Sequence, residues 1–131
     1  MAQVTITTIH DGPRNAVVHV SIFADGSGEL TDQVLIDPAA FDPPLPAQPA
    51  LRIVKLWYDF TGFDAWLEYD YLLSDTPVWS MSGSQPGYLD FECFGGLTDR
   101  SASDGTGKIQ INTRGLDNGD FGTMVLAVKK S

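Results

Sequence analysis

The chain has 131 residues, a length that allows one hydrophobic core but not two ordinary domains. Its 8 Lys and Arg against 17 Asp and Glu give a formal net charge of −9, which disfavours direct binding to nucleic acid. The single cysteine excludes an intrachain disulfide, and no run reaches the roughly 20 apolar residues that cross a membrane. We therefore expect a single β-rich domain over residues 1–131.

The first third of the chain contains three runs in which apolar and polar residues alternate, the pattern of β-strands. The first run covers residues 4–9 and ends in a turn at residues 11–14. The second covers residues 16–24 and the third begins near Glu29 and ends at Ile36. At most one helical turn is expected after it.

A proline-rich segment follows at about residues 37–50. Four prolines fall within residues 42–49, which excludes an interior strand or helix and favours an extended connection. Because only 36 residues precede it, too few for an independent core, we interpret this segment as a crossover loop between strands.

The chain beyond the prolines is rich in aromatic residues. Residues 51–60 and 65–71 flank a short Thr61-Gly62 loop and predict a β-hairpin. The remaining predicted strands are residues 78–82, 88–94, 109–113 and 123–129, with turns at residues 95–96, 105–107 and 117–120. Eight or nine strands and no helical periodicity predict an all-β fold: an antiparallel β-sandwich, with a jelly roll as one form of it.

The residues with nucleophilic or metal-binding chemistry are few and stand in no known motif. Cys93 alternates with Leu89 and Phe91 in a predicted strand, which favours a buried and inert thiol. His10 and His19 have no spacing that supports a zinc site. Residues 117–120 and the segment from Asp99 to Asp104 would offer oxygen ligands to a calcium ion, but neither has the spacing of a calcium-binding loop, and turn chemistry alone explains the Asp, Asn and Gly residues there.

Acidic residues near the predicted hairpin offer one enzymatic alternative. Glu68 and Asp70 share a strand face, and Asp59 is expected across the hairpin, an arrangement that a glycosidase would use. A solvated acidic sheet face has the same pattern and is the simpler interpretation. The sequence therefore predicts no catalytic residue, no cofactor and no metal.

Seven aromatic residues would stack on a sugar or a partner protein if they were exposed. Because so small a sandwich needs large side chains in its core, we expect only one or two of them to be exposed. They are Trp57, Tyr58, Trp66, Tyr69, Tyr71, Trp79 and Tyr88.

Several segments, in order along most of the chain, resemble small virion proteins of tailed bacteriophages. They are DGPRNAVVHV (residues 11–20), DGSG (25–28), IVKLWY (53–58), GGL (95–97) and the stretch from Gly107 to Asp120. The resemblance implies a structural protein, and the small acidic all-β members look like capsid decoration, or cement, proteins. It further implies the major capsid protein as partner, a homo-oligomer such as a trimer on the capsid, and a location on the virion surface after synthesis in the bacterial host cytoplasm.

A decoration protein needs exposed anchors and arms that reach across a joint in the shell. We therefore expect contacts from the N-terminal residues 2–8, from the proline-rich crossover, and from two exposed aromatic rings. The predicted partner-binding residues are Ala2, Val4, Ile6, Phe41, Pro43, Pro44, Leu45, Pro46, Trp79 and Tyr88.

Three other functions stay open at the level of sequence. A tail or neck component of the virion would share the same composition and differ in its copy number. A carbohydrate-binding module would present exposed rings flanked by Asp, Asn or Gln side chains. An enzyme would need an acidic pair in a concave pocket.

Overall fold

The computed structural model describes residues 3–26, 28–41, 44–45, 51–71, 76–97 and 105–130. These residues form nine β-strands and two 3₁₀ turns, Pro38–Ala40 and Glu92–Phe94, and no α-helix. The strands are β1 (Gln3–Asp11), β2 (Asn15–Phe23), β3 (Gln33–Ile36), β4 (Arg52–Thr61), β5 (Asp64–Tyr71), β6 (Thr76–Met81), β7 (Gly87–Asp90), β8 (Gly105–Arg114) and β9 (Phe121–Lys129). The predicted all-β class is confirmed. Within these ranges, no helix is long and apolar enough to cross a membrane.

The strands form two antiparallel sheets. The five-stranded sheet has the order β1-β2-β9-β4-β7, and the four-stranded sheet has the order β3-β8-β5-β6. With β1 set aside, the strands β2 to β9 form two four-stranded sheets in the order of a jelly roll. β1 is an additional strand at one edge, paired with β2 through a turn in which the Gly12 N–H donates to the Asn15 carbonyl at 2.9 Å.

Alternate residues of the central strands fill the space between the two sheets. In β2, Val18, Val20 and Ile22 are at most 3% exposed, and Leu126 of β9 and Leu67 of β5 are fully buried. These side chains belong to one hydrophobic cluster that draws on both sheets. Since each buried aliphatic side chain contributes about 1.5–3 kcal/mol, this cluster is the main source of stability.

The connection between β4 and β5 is a corner between sheets and not the predicted hairpin. β4 pairs with β7 and β9, whereas β5 pairs with β6 and β8. Phe60 and Phe63 are both buried, with ring centroids 4.9 Å apart, and Gly62 between them has a φ of 91°. Because both rings pack in the core, the chain turns inward at Gly62 and crosses from one sheet to the other.

The segment before β3 is irregular, although the sequence predicts a strand from Glu29. Asp32 has a φ of 51°, which ends extended geometry, and its N–H donates to Asn112 Oδ1 at 2.9 Å. Upstream, the Glu29 carboxylate accepts a hydrogen bond from Thr113 Oγ1 at 3.2 Å. Side chains of β8 therefore hold this segment in place, and β3 begins only at Gln33.

Two boundaries in the second half also differ from the prediction. β7 ends at Asp90, whose Oδ1 accepts the Glu92 N–H at 2.9 Å and starts the second 3₁₀ turn. Cys93 lies in that turn and is exposed, so the expectation of a buried thiol is wrong. β8 begins at Gly105, where the sequence predicts a turn.

The described part of the proline-rich segment leads from β3 in one sheet toward β4 in the other. Its first turn, Pro38–Ala40, confirms the predicted single helical turn and is capped by Asp37, whose Oδ1 accepts the Ala39 N–H at 3.0 Å. The Leu45 N–H donates to the Pro38 carbonyl at 2.9 Å. This bond folds the segment back onto the turn.

Candidate partner-binding surfaces

The acidic residues considered for catalysis are not arranged as the sequence predicts. Asp59 lies on β4 and Glu68 and Asp70 lie on β5, in different sheets, so no hairpin places them opposite one another. Glu68 is only 6% exposed, beside its register partner Gln110. Among the described residues, no three His, Cys, Asp or Glu side chains are grouped to hold a metal ion.

A groove of about 360 Å³ lies beside β5 and β6. Its lining includes one carboxylate, Asp64, whose Oδ2 is 3.8 Å from Arg114 Nη2 and whose Oδ1 accepts the Gly83 N–H at 2.7 Å. Glycoside hydrolysis requires two carboxyl groups that flank the substrate. This groove does not supply them.

An exposed aromatic pair lies on the solvent side of the five-stranded sheet. Trp57 of β4 and Tyr88 of β7 are register partners, with ring centroids 5.0 Å apart and planes 22° apart. Their exposed fractions are 38% and 51%. Because β4 directs Leu56 and Phe60 into the core, its period of two directs Trp57 outward.

A shallow groove of about 270 Å³ adjoins this pair. Its lining mixes polar and apolar residues, among them His19, Asp59, Pro86, Thr123 and Val125. Further along the same side of the sheet, Phe23 and Phe121 are register partners and are 52% and 54% exposed. We call the rings of Trp57, Tyr88, Phe23 and Phe121, with this groove, the aromatic face.

Trp79 is not the exposed anchor that the sequence predicts. Its side chain is half-buried and packs against the core, with its ring edge-on to Phe91 at a centroid distance of 5.3 Å. Tyr88 is exposed as predicted, and Trp57 takes the place expected for Trp79. The expectation that one or two of the seven aromatic residues are exposed holds for those whose side chains the structure describes.

A second surface lies beneath β1, on the side of that strand that faces the core. A groove of about 150 Å³ separates Ile6 from β3 and the chain that follows it, where Leu35 and Phe41 respectively line the groove. Ile6 is 38% exposed, although its register partner Val20 is fully buried. We call this the β1 groove.

Lys130 contacts two residues that line the β1 groove, Asp11 and Phe41. Its ammonium group forms an ion pair with Asp11, donates to the Gly12 carbonyl at 2.8 Å and lies 4.4 Å from the centroid of the Phe41 ring. A cation over an aromatic face contributes about 0.5–1 kcal/mol at exposed sites. Lys130 therefore joins the end of β9 to the β1–β2 turn and positions Phe41.

The two segments predicted as contact elements meet at the β1 groove. Ile6 and Phe41 line it, and Val4 and Leu45 pack half-buried against the neighbouring core. Pro44 is exposed. The predicted contact residues outside the described ranges are Ala2, Pro43 and Pro46.

Sequence reasoning misses Trp57, Phe23 and Phe121 as surface residues. The alternation of β2 already separates Phe23 from the face that carries Val18, which is the signal that would have found it. The alternation of residues along a strand does not indicate which of its two faces is exposed to solvent. Packing of the two sheets decides that.

The fold and these surfaces define a jelly-roll β-sandwich with two exposed apolar sites. No protein-family model matches the chain, and no curated protein is significantly similar to it. Among solved structures, it is similar to a cupin superfamily protein from Desulfitobacterium hafniense DCB-2, with 13% identity and a TM-score of 0.35 over 95% of this chain and 75% of that chain. At this level the similarity carries no inference about activity.

Proposed function

We propose that this chain is a non-enzymatic structural protein of a tailed-bacteriophage virion that binds the outer capsid surface as a decoration protein. The aromatic face is the observation that carries the proposal. The rings of Trp57 and Tyr88 stack against each other on the solvent-exposed side of the sheet. Exposed aromatic clusters on small proteins mark interaction sites. The resemblance to small phage virion proteins supports the choice of partner, the major capsid protein.

The geometry of the aromatic face suits docking onto a broad surface. Four paired strands carry its rings and its groove, so the backbone beneath the rings is already ordered and need not be ordered on binding. Asp59 and His19 provide polar groups beside the rings, as at the rim of a protein interface. The net charge of −9 keeps unassembled copies soluble and away from the genome.

Capsids that lack the protein provide the direct test. We expect saturable binding of hundreds of copies per particle, with increased resistance of the particle to heat, measured by quantitative gel and cryo-electron microscopy. Trp57→Ala should weaken binding by about 30-fold, the effect of losing an interface hot spot of about 2 kcal/mol. Phe94→Ala is the matched control, because Phe94 is 63% exposed but lies outside the aromatic face.

The outcomes separate the proposal from its rivals. Failure of the wild-type chain to bind capsids would end the decoration hypothesis, and equal weakening by Trp57→Ala and Phe94→Ala would end the role of the aromatic face. A few to dozens of copies at one vertex would instead assign a tail or neck component.

Glycan binding is the second candidate function, and the stacked rings beside Asp59, His19 and Thr123 favour it. Sugar rings stack on aromatic faces while neighbouring polar groups bind their hydroxyls. Of the three tryptophans, Trp57 is exposed, whereas Trp66 and Trp79 are half-buried. Retention on a glycan column that Trp57→Ala abolishes, without any binding to capsids, would support this function.

A further inference from the structure

The outer edge of β1 is a row of backbone groups that lacks a partner strand among the described residues. β1 pairs with β2 on one side and is the last strand of its sheet on the other. In an antiparallel pair, alternate residues direct both the N–H and the C=O away from the partner strand. Such an edge is a template for another strand.

The other edge strands of the two described sheets are shorter than β1, and two of them are interrupted within their length. β7 and β3 have four residues each, and the register of β3 is interrupted by a bulge. β6 contains Pro77, which has no N–H to donate. β1 has nine residues.

The side chains of β1 also favour pairing. From Gln3 to Ile9 the strand has no charged residue and no proline, and the bulge in its pairing with β2 comes only between Thr8 and His10. On the side that faces the core, Ile6 remains 38% exposed over the β1 groove. A strand added at this edge would bury Ile6 and satisfy the backbone at the same time.

We propose that two copies of this chain pair edge to edge through antiparallel β1 strands, about a twofold axis that passes near Ile6. Ile6 is the middle of the uncharged stretch from Gln3 to Ile9, so this register uses all of it. Ile6 then faces Ile6 of the second copy, and Thr5 faces Thr7. The two five-stranded sheets become one sheet of ten strands.

The properties of this edge favour pairing with the β1 strand of a second copy of the chain. A twofold antiparallel pair needs only the same strand twice, and β1 is uncharged where it would meet itself. The even register also keeps Val4, Ile6 and Thr8 of both copies on the core side, so the two β1 grooves come together at the joint. The pairing does not depend on the proposed capsid function.

Mass measurement on the purified chain tests the pairing. Sedimentation equilibrium at rising concentration should give a species of twice the 14.2 kDa chain mass. The variant Thr5→Lys with Thr7→Lys places like charges opposite one another in the predicted register and should raise the dissociation constant at least tenfold. Thr5→Lys with Thr7→Glu places opposite charges there and should restore the dimer.

The control carries two new lysines away from the edge, Thr61→Lys with Gln85→Lys, and should dimerise like the wild type. Circular dichroism should show that all variants keep the β-sheet signal. The pairing would be overturned if the wild-type chain were a monomer or a trimer at every concentration. It would also be overturned if the control variant dimerised as weakly as the Lys/Lys variant. Equal effects of the Lys/Lys and Lys/Glu variants would overturn it as well, because register then has no part in association.

Discussion

The carboxylate of Glu29 accepts three hydrogen bonds at the end of β8. Thr113 Oγ1 donates to it at 3.2 Å, and the N–H groups of Gly115 and Leu116 donate at 2.7 Å each. The Leu30 N–H donates in turn to Thr113 Oγ1 at 2.9 Å. One side chain thus holds two irregular segments together, the chain before β3 and the turn after β8.

We expect Glu29→Ala to lower the free energy of unfolding by about 1–2 kcal/mol. Hydrogen bonds to a charged acceptor contribute about 1.5–3 kcal/mol when buried, and the exposure of Glu29 reduces that value. Urea unfolding followed by tryptophan fluorescence measures the change. Glu92→Ala is the control, since its carboxylate forms an exposed ion pair 3.7 Å from Lys55. Equal unfolding midpoints for the two variants would contradict this role of Glu29.

At the scale of elements, the corner between β4 and β5 depends on close backbone contact with the chain after β6. The Gly83 N–H donates to Asp64 Oδ1 at 2.7 Å, and a β-carbon on Gly83 would overlap the Phe63 carbonyl group. Phe63 itself is 3% exposed against Phe60. The absence of a side chain at Gly83 therefore allows Phe63 to reach the core.

Gly83→Ala should destabilise the fold by about 2–4 kcal/mol, because the overlap is with backbone and cannot be relieved by rotating a side chain. Thermal unfolding by circular dichroism measures it, with Ser80→Ala as a control at an exposed position of β6. An unchanged melting temperature for Gly83→Ala would show that the corner does not pack as described.

This corner also shows where prediction from sequence stopped. The composition of residues 51–60 and 65–71 predicts two strands, and both strands are present. The predicted pairing of these two strands is wrong, because a short loop that contains glycine is compatible with both a hairpin and a corner between sheets. The difference is made by Phe60 and Phe63, which lie in the core together.

For the whole molecule, the excess of negative charge destabilises the folded state. The chain has 17 acidic against 8 basic residues, and two of its ion pairs, Lys55–Glu92 and Asp64–Arg114, lie on the surface. Surface pairs contribute at most about 1 kcal/mol each. Repulsion among the remaining carboxylates therefore lowers the stability of the folded state at low salt.

Raising NaCl from about 10 mM to about 300 mM should increase the melting temperature by about 2–5 °C, because the screening length falls from about 30 Å to less than 10 Å. Differential scanning calorimetry measures the shift. Asp32→Asn with Asp117→Asn changes the formal net charge from −9 to −7 and should show a smaller shift. A melting temperature that falls with salt would mean that attractive pairs outweigh repulsion.

The all-β class, most strand positions and the turns after β1 and before β9 could be predicted from local patterns, because residue alternation and turn chemistry are local properties of the chain. The amino-acid sequence also predicts two contact segments, which contain Ile6 and Phe41, and their contact role stays a prediction. The folded structure was needed to show which strands pair, that Cys93 and Trp57 are exposed while Trp79 is half-buried, and that Ile6 and Phe41 line one groove. Those outcomes depend on the packing of residues far apart in the chain, which no local pattern records.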